Sequence, residues 1–467
     1  MSLHIYDSAR RALVPFEPAR PPKVSMYVCG PTVYGLVHIG NARTFLWFDL
    51  IRRYLTHRGF EVTSVMNYTD VDDKIIEQAL VEDVDEQTLA HRYARAFEED
   101  MRALGVAAPD ILARATEHIP DMVAAIEGLV QKGFAYEAEG NVFFSVERFQ
   151  GYGRLSGRSL QDMRAGERVE PHRAKRHPLD FALWKAAKQG EPSWSSPWGP
   201  GRPGWHIECS VMSVRYLGMG FDLHGGGSDL IFPHHENEVA QAEALAGRGP
   251  FVRHWLQSGM VQMQAEKMSK SLGNIVTARQ ALERYDGEVI RTWALAGSYR
   301  TQVTFSEQAL DDAAAAHGRW KTFHNACLRL LGTAPGAAAG AEAFRDRFLA
   351  AMDDDFNSAA AVAVLHDLVR EGNGELEVAE RGDSAARTRL EGLFATFVEL
   401  TSVLGFEFAS TAPSDRLATE LIEYLLELRE QARDSREFGR ADDIRRRLGE
   451  LGVAVEDTPS GPRWQLG

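Results

Sequence analysis

The tightest constraint on this chain lies between residues 24 and 68, where a strand, a breaker, a helix and a second strand follow in order. Val24-Ser25-Met26-Tyr27-Val28-Cys29 reads as a buried strand and stops at Gly30-Pro31, a strong turn signal. From about Ile39 to Arg58, the residues Ala42, Phe45, Leu46, Leu50, Tyr54 and Leu55 recur at helical spacing, and Gly59 supplies a C-terminal stop. Glu61 to Tyr68 then reads as a second strand. Strand, helix and strand at this length form a βαβ unit. Such a unit requires a parallel sheet, with a ligand site at the C-terminal ends of its strands.

The rest of the chain fits around that unit. Residues 75–135 read as mostly helical, interrupted by Pro109 and Pro120, and 136–190 as short strands. Glu191 to Trp205, dense in Pro, Gly, Ser and Trp, reads as a rigid loop. Short β/α signals resume over 206–262, including Phe221-Asp222-Leu223-His224-Gly225-Gly226-Gly227. The sheet is therefore expected in two halves, with roughly residues 120–200 inserted between them. Beyond about 305, Ala, Leu, Glu and Arg dominate, and helical periodicity over 311–332, 342–370 and 385–403 predicts a helix bundle. Linkers are expected at Ala334-Pro335-Gly336-Ala337-Ala338-Ala339-Gly340 and Ser410-Thr411-Ala412-Pro413-Ser414. The reading is an α/β, Rossmann-like parallel-sheet domain over 1–305, an α-helical bundle over 306–409 and a small C-terminal module over 410–467.

Composition narrows the setting. A chain of 467 residues implies about three domains. No apolar run approaches the ~18 residues of a membrane span, so no membrane association is expected. Met1 to Asp7 lacks a basic segment followed by an apolar one, so no signal peptide is expected. Three cysteines exclude a disulfide scaffold and fit a reducing cytoplasm. The net charge of −14 weighs against a surface coated with basic residues for nucleic acid. Residues 145–190 nevertheless hold ten Lys/Arg against five Asp/Glu, either as a solvated face or as a local anion-binding surface.

Three groups of residues carry chemistry. His38-Ile39-Gly40-Asn41 opens the first helix. A helix N-terminus presents unpaired N–H groups and a positive dipole end, which suit a phosphate. Gly40 lets a ligand approach closely, and His38 and Asn41 add donors for charge developing on phosphorus; both residues would equally serve as plain helix caps. Lys267-Met268-Ser269-Lys270-Ser271, followed by Leu272-Gly273-Asn274, reads either as a cationic loop able to close on a triphosphate or as an exposed polar turn. Cys29, Cys209, His234 and Glu238 offer two thiolates, an imidazole and a carboxylate, a plausible tetrahedral zinc set. His234 and Glu238, four apart, share a face if that segment is helical. The spacing is unlike a zinc finger, and two buried thiols beside a His–carboxylate hydrogen bond would account for the same residues. Cys327 reads as bundle core.

Seven stretches, in order, resemble the cysteinyl-tRNA synthetase family of class I aminoacyl-tRNA synthetases over nearly the whole chain. They are Tyr27-Val28-Cys29-Gly30-Pro31-Thr32-Val33-Tyr34, His38-Ile39-Gly40-Asn41-Ala42-Arg43, Asn67-Tyr68-Thr69-Asp70-Val71-Asp72-Asp73-Lys74 and Gly204-Trp205-His206-Ile207-Glu208-Cys209-Ser210. The others are His224-Gly225-Gly226-Gly227-Ser228-Asp229-Leu230, Phe232-Pro233-His234-His235-Glu236-Asn237-Glu238 and Lys267-Met268-Ser269-Lys270-Ser271. The resemblance implies ATP-dependent activation of L-cysteine to cysteinyl adenylate, then transfer to the 3′ end of cysteine tRNA. It implies catalytic roles for His38, Asn41, Lys267 and Lys270, and ATP contacts from His38, Gly40, Asn41 and Lys270. Thr69, Trp205, His224 and Asp229 would surround the substrate. One Zn²⁺ per subunit would sit on Cys29, Cys209, His234 and Glu238, and Mg²⁺ would enter with ATP; four protein ligands close a zinc site, so direct coordination of the substrate thiolate requires either five-coordination or loosening of one ligand, for which Glu238 is the candidate. Zinc has a physical rationale, because shape alone does not separate cysteine from serine by ~10⁴-fold and a soft thiolate ligand does.

For tRNA, the resemblance implies an acceptor-end surface in 145–190 and an anticodon-binding C-terminal module. The module's runs Phe438 to Arg447 and Val455 to Trp464 match the family, with Phe438, Asp442 and Arg445 as contact residues. Some members carry Trp where this chain has Phe438, and nine Arg against twelve Asp/Glu leave residues 411–467 without a basic excess. A cytoplasmic monomer is the family expectation. Two rivals share parts of the pattern. A relative passing cysteine to an amino sugar needs no anticodon module, and a non-catalytic tRNA-binding paralogue needs neither signature motif.

Overall fold

The computed structural model describes residues 2–159, 173–263, 266–267, 276–332, 341–408, 414–435, 437–451, 453–458 and 461–466. They fall into two compact units, Met1–Phe406 and Glu407–Gly467.

The first unit is built on the expected βαβ. Strand β3 (Lys23–Val28) leads to helix α1 (Ile39–His57) and parallel strand β4 (Glu61–Tyr68). An N-terminal hairpin, β1 (His4–Asp7) and β2 (Ala12–Pro15), precedes them. After α2 (Asp73–Glu82) and α3 (Glu86–Ala103), strand β5 (Ile111–Arg114) joins β4 in parallel. This four-residue strand lies where sequence suggested mostly helix; the break at Pro109 frees the chain to return to the sheet edge. Helix α4 (Ile119–Gln131) follows. Then β6 (Ala135–Ala138), β7 (Asn141–Phe144), β8 (Phe181–Ala186) and β9 (Gly201–Pro203) form a separate antiparallel sheet. Strand β9 and helix α5 (Trp205–Leu217) show that the expected rigid loop ends earlier than Trp205.

The main sheet resumes with β10 (Phe221–Gly227), helix α6 (Glu236–Ala246) and β11 (Val252–Ser258). Its order, β11-β10-β3-β4-β5, is parallel throughout. The chain runs outward from β3 through β4 to β5, then returns to the other side of β3. The direction of winding therefore switches between β3 and β10, where open α/β sheets hold ligands.

Helix α1 is buried along most of its length, from Ala42 to Ile51 without a gap. Its Phe48 ring fills the space above Gly225, where an added Cβ would come within 2.1 Å of the ring. Fully buried Arg43 donates to the carbonyls of Gly259 and Ser298, each at 2.9 Å, anchoring the helix to the chain beyond β11. Beyond the sheet come β12 (Val261–Met263), β13 (Glu266–Lys267), α7 (Ala278–Leu282), α8 (Gly287–Ala294) and β14 (Val303–Phe305).

The helical half comprises α9 (Glu307–Leu331), α10 (Glu342–Met352), α11 (Ser358–Glu380) and α12 (Ser384–Val403). The periodic run at 342–370 is thus two helices. Asp355 and Phe356 take positive φ of 56° and 53° between them, and the Asn357 side chain caps α11. The break has a use: Asp355 accepts from the Tyr6 backbone N–H at 2.7 Å, the Tyr299 hydroxyl at 2.9 Å and Arg300 at 2.7 Å. Cys327 is buried in this bundle, as expected. Both proposed linkers fall largely on residues outside the described set.

In the second unit, α13 (Ser414–Asp434), α14 (Phe438–Glu450) and the hairpin β15 (Val453–Thr458) with β16 (Gly461–Leu466) enclose Ile422, Leu426, Leu448 and Val453. Among the described residues, no helix is long and apolar enough to cross a membrane.

Candidate active site

A cavity opens at the switch between β3 and β10. Cys29, His38, Asn41, Thr69, Trp205, Cys209, Asp229 and His234 all line it. Residues drawn from six of the seven quoted stretches therefore meet at the ends of three neighbouring strands.

On one side stands the N-terminus of α1. His38 is its cap, and its Nδ1 accepts the Asn41 backbone N–H at 3.2 Å. An Nδ1 that accepts leaves the proton of a neutral imidazole on Nε2. Capping and chemistry are thus compatible in one residue. Gly40 is explained by the same ring: a Cβ there would lie 3.0 Å from His38 Nδ1. Its smallness makes room for the cap. The N-terminus is also tied to the chain that follows the lysine-rich motif. Ile39 donates to the Val276 carbonyl at 3.0 Å, and Ala278 donates to the Val37 carbonyl at 2.8 Å. The backbone of Lys267 pairs with Gln262 on β12. The Lys267 side chain and all of Lys270 lie outside the described residues.

On the other side the four candidate ligands converge. Cys29 directly follows β3, Cys209 lies on α5, His234 lies in the turn before α6, and Glu238 lies in the first turn of α6. Their donor atoms all lie within 4.8 Å of one another, and all four residues are buried. Cys29 Sγ is 3.7 Å from Cys209 Sγ and 3.5 Å from Glu238 Oε1, and His234 Nε2 is 3.1 Å from that same oxygen. Burial, with the neighbouring Cys209 and Glu238, pushes the Cys29 thiol up. Burial also opposes ionisation of Cys209, but Cys29 and His234 hold it down to about 6. Glu238 stays well below the usual carboxylate range despite its burial, because His224 and His234 face it. Two thiols and a carboxylate packed this closely, out of water, form a donor set that fits a soft divalent cation.

Neighbours orient the set. His206 Nδ1 lies 3.0 Å from His234 Nδ1, so the other ring nitrogen of His234 faces the cluster. The Trp205 ring packs on His234 with centroids 4.1 Å apart. Asn67 Oδ1 accepts the Gly30 N–H at 2.9 Å and lies 3.6 Å from Cys209 Sγ. His224, expected against the substrate, stands behind the cluster. It is fully buried, donates through Nε2 to Glu238 Oε2 at 2.8 Å, and stacks on Trp255 at 4.4 Å. A second overlapping set, Cys29, His224, His235 and Glu238, shares two members with the first. The roles of His206 and Asn67 were missed from sequence, although both lie inside quoted motifs; His206 is one helical turn before Cys209.

Thr69 and Asp229 face the cavity from the ends of β4 and β10. The basic stretch is partly engaged within the fold. Arg154 pairs with Glu243 at 2.6 Å, Lys185 pairs with Asp73, and Arg158 and Arg176 lie over the rings of Phe232 and Tyr136. In the second unit, Phe438, Asp442 and Arg445 are exposed on α14. Their i, i+4, i+7 spacing aligns them on one face.

Comparison with known proteins places these features in context. A family model described as tRNA synthetases class I (C) catalytic domain matches residues 15–315. Others, described as DALR domain and Cysteinyl-tRNA ligase anticodon binding domain, match 347–409 and 417–464. The chain is 47% identical over 474 residues to a "Cysteine--tRNA ligase" of Brevibacillus brevis, covering 100% of each. Against that of Geobacter sulfurreducens it is 47% identical over 484 residues, again covering 100% of each. Among solved structures, the Mycobacterium tuberculosis methionyl-tRNA synthetase in complex with methionyl-adenylate shares the fold. Its TM-score is 0.62 at 15% identity, over 82% of this chain and 90% of that one. A leucyl-tRNA synthetase of Agrobacterium radiobacter K84, in a ternary complex with tRNA, superposes with a TM-score of 0.59 at 12% identity, over 84% and 85%.

Proposed function

Because the chain belongs to the cysteine–tRNA ligase family of class I aminoacyl-tRNA synthetases, we propose that its switch-point cavity makes cysteinyl adenylate and that its C-terminal module reads the tRNA. The enzyme joins L-cysteine to cysteine tRNA at the expense of ATP. The carboxylate of cysteine attacks the α-phosphate, pyrophosphate leaves, and the terminal ribose of the tRNA then attacks the activated carbonyl.

The observation that carries this reading is the juxtaposition of a thiol-rich donor set and a helix N-terminus in one cavity. Cys29, Cys209, His234 and Glu238 would hold Zn²⁺, one per subunit. Bound there, zinc supplies a soft Lewis acid that prefers a thiolate to a neutral hydroxyl. His38 offers its Nε2–H, and Asn41 its amide, to the phosphate oxygens as charge develops. Lys267 and Lys270 would serve the departing pyrophosphate, and Mg²⁺ would arrive on the phosphates of ATP. Asp229 meets the substrate ammonium, and Trp205 holds His234 and walls the side-chain end. His224 acts through Glu238. Phe438 stacks on an exposed base while Asp442 and Arg445 hydrogen-bond beside it. The reading carries with it a cytoplasmic location and a monomeric enzyme.

The deciding experiment is transfer of labelled cysteine to cysteine tRNA, with serine and a no-tRNA control alongside. Acid-precipitable cysteine on tRNA, without serine, supports the reading. Cysteine-dependent pyrophosphate release without charging would move the acceptor to a small amine. Neither activity, with zinc and magnesium supplied, would overturn it.

A further inference from the structure

Behind the cavity wall lies a carboxyl group to which the activation chemistry assigns no role. Glu208 occupies the first turn of α5 and is fully buried. Its Oε2 accepts the Thr69 hydroxyl at 2.6 Å, while its Oε1 has no hydrogen-bond partner among the described residues. Thr69 is itself pinned: its N–H donates to the Pro31 carbonyl and its carbonyl accepts from Val33, both at 3.2 Å. A hydroxyl has one proton and two lone pairs. With the proton committed inward to Glu208, Thr69 presents only lone pairs to the cavity it lines.

We infer that Glu208 is a positioning residue that makes Thr69 an obligate hydrogen-bond acceptor for the α-ammonium of the substrate amino acid. The inference rests on the functional reading above and deepens it. An acceptor-only hydroxyl attracts an ammonium and repels a carboxylate, so it distinguishes the two ends of an amino acid. Together with Asp229 it gives the cavity two oxygen acceptors from different strands. Thr69 donates in this bond as long as Oε2 carries no proton, as in the ionised carboxylate.

The test compares Glu208→Leu, Glu208→Gln and Thr69→Val with the wild type in cysteine-dependent pyrophosphate exchange. 3-Mercaptopropionate, which keeps the thiol and carboxylate but lacks the ammonium, serves as a competitive probe. Glu208→Leu and Thr69→Val should each raise the KM for cysteine about tenfold. The KM for ATP, the metal content and the inhibition constant of 3-mercaptopropionate should stay at wild-type values. The double variant should be no worse than either single. Glu208→Gln, whose amide oxygen still accepts from Thr69, should recover a KM within about threefold of wild type.

Equal loss of affinity for cysteine and 3-mercaptopropionate overturns the inference, as does an additive double variant. If Glu208→Leu does not fold, Glu208→Gln and Thr69→Val decide the matter by the same comparison. A wild-type enzyme without cysteine-dependent exchange overturns the functional reading and this inference with it; an active one that breaks the pattern overturns this inference alone.

Discussion

His224→Leu separates two roles for a histidine that the family resemblance put against the substrate. In the structure His224 touches Glu238, donating to Oε2 at 2.8 Å while Oε1 faces Cys29 and His234. Both residues are fully buried, so water cannot replace the lost donor. A hydrogen bond to a charged group contributes about 1.5–3 kcal/mol. Glu238 keeps its contact to His234 through the other oxygen, so a value near 2 kcal/mol is expected. That corresponds to roughly thirtyfold in a dissociation constant, within the ~10–100-fold usual for groups that orient metal ligands. Leucine approximates the imidazole volume and retains packing against Trp255. The assay is zinc affinity by competition against a chelator of known strength. His224→Gln, which can still donate to Oε2, should recover most of the affinity. A leucine variant with zinc affinity within about threefold of wild type, yet a raised KM for cysteine, would refute the argument and return His224 to the substrate.

Three further outcomes follow from particular contacts. Gly225→Ala places a Cβ 2.1 Å from the Phe48 ring inside the sheet–helix interface. The cost should be about 1–3 kcal/mol, seen as a lower urea midpoint, and an unchanged midpoint would show that the ring swings aside freely. Asp73, clasped by Lys185 and Arg202, is held below the ordinary aspartate value although burial opposes this. A carboxyl depressed in the folded state stabilises above its unfolded pKa of about 3.9, and that stabilisation is lost as pH falls through the folded value. The melting temperature of Asp73→Asn should therefore lie below wild type at pH 7 and converge on it in acid, whereas a gap that persists at low pH would refute the assignment. Phe438→Ala should lower tRNA charging about tenfold through loss of base stacking, without changing pyrophosphate exchange. A loss in both assays would move Phe438 into a structural role.

What the sequence made legible was local. The first βαβ unit emerged because a period of about 3.6 stopped at Gly59 and a short strand-like stretch rich in β-branched residues followed, within one stretch of chain. The four candidate ligands could be named, but 180 residues separate Cys29 from Cys209, and only the return of the chain to β10 and α5 brings them together. Strand β5 escaped notice because four residues after a proline carry almost no periodic signal. The false continuity of 342–370 arose because Asp353 to Asn357 interrupts two helices without a glycine or a proline. Orienting partners were the least legible. Nothing in the order of residues says that His224 turns toward Glu238, or that the hydroxyl proton of Thr69 points at Glu208. Those directions come from packing between elements distant in sequence, and they decide what each group can do.

The contact between Asp355 and Tyr6 also imposes a schedule on the nascent chain. The first hairpin is made almost at once by the ribosome, yet the carboxylate that anchors its backbone arrives 349 residues later. At roughly 5–20 residues per second that interval is about 20–70 s, far longer than the microseconds a hairpin needs to close. For most of synthesis the N-terminal segment must wait with its anchoring N–H solvated. A late step in assembling the first unit is therefore a return to its beginning, when the bend between α10 and α11 emerges and clasps the earliest strand, with α12 still to follow.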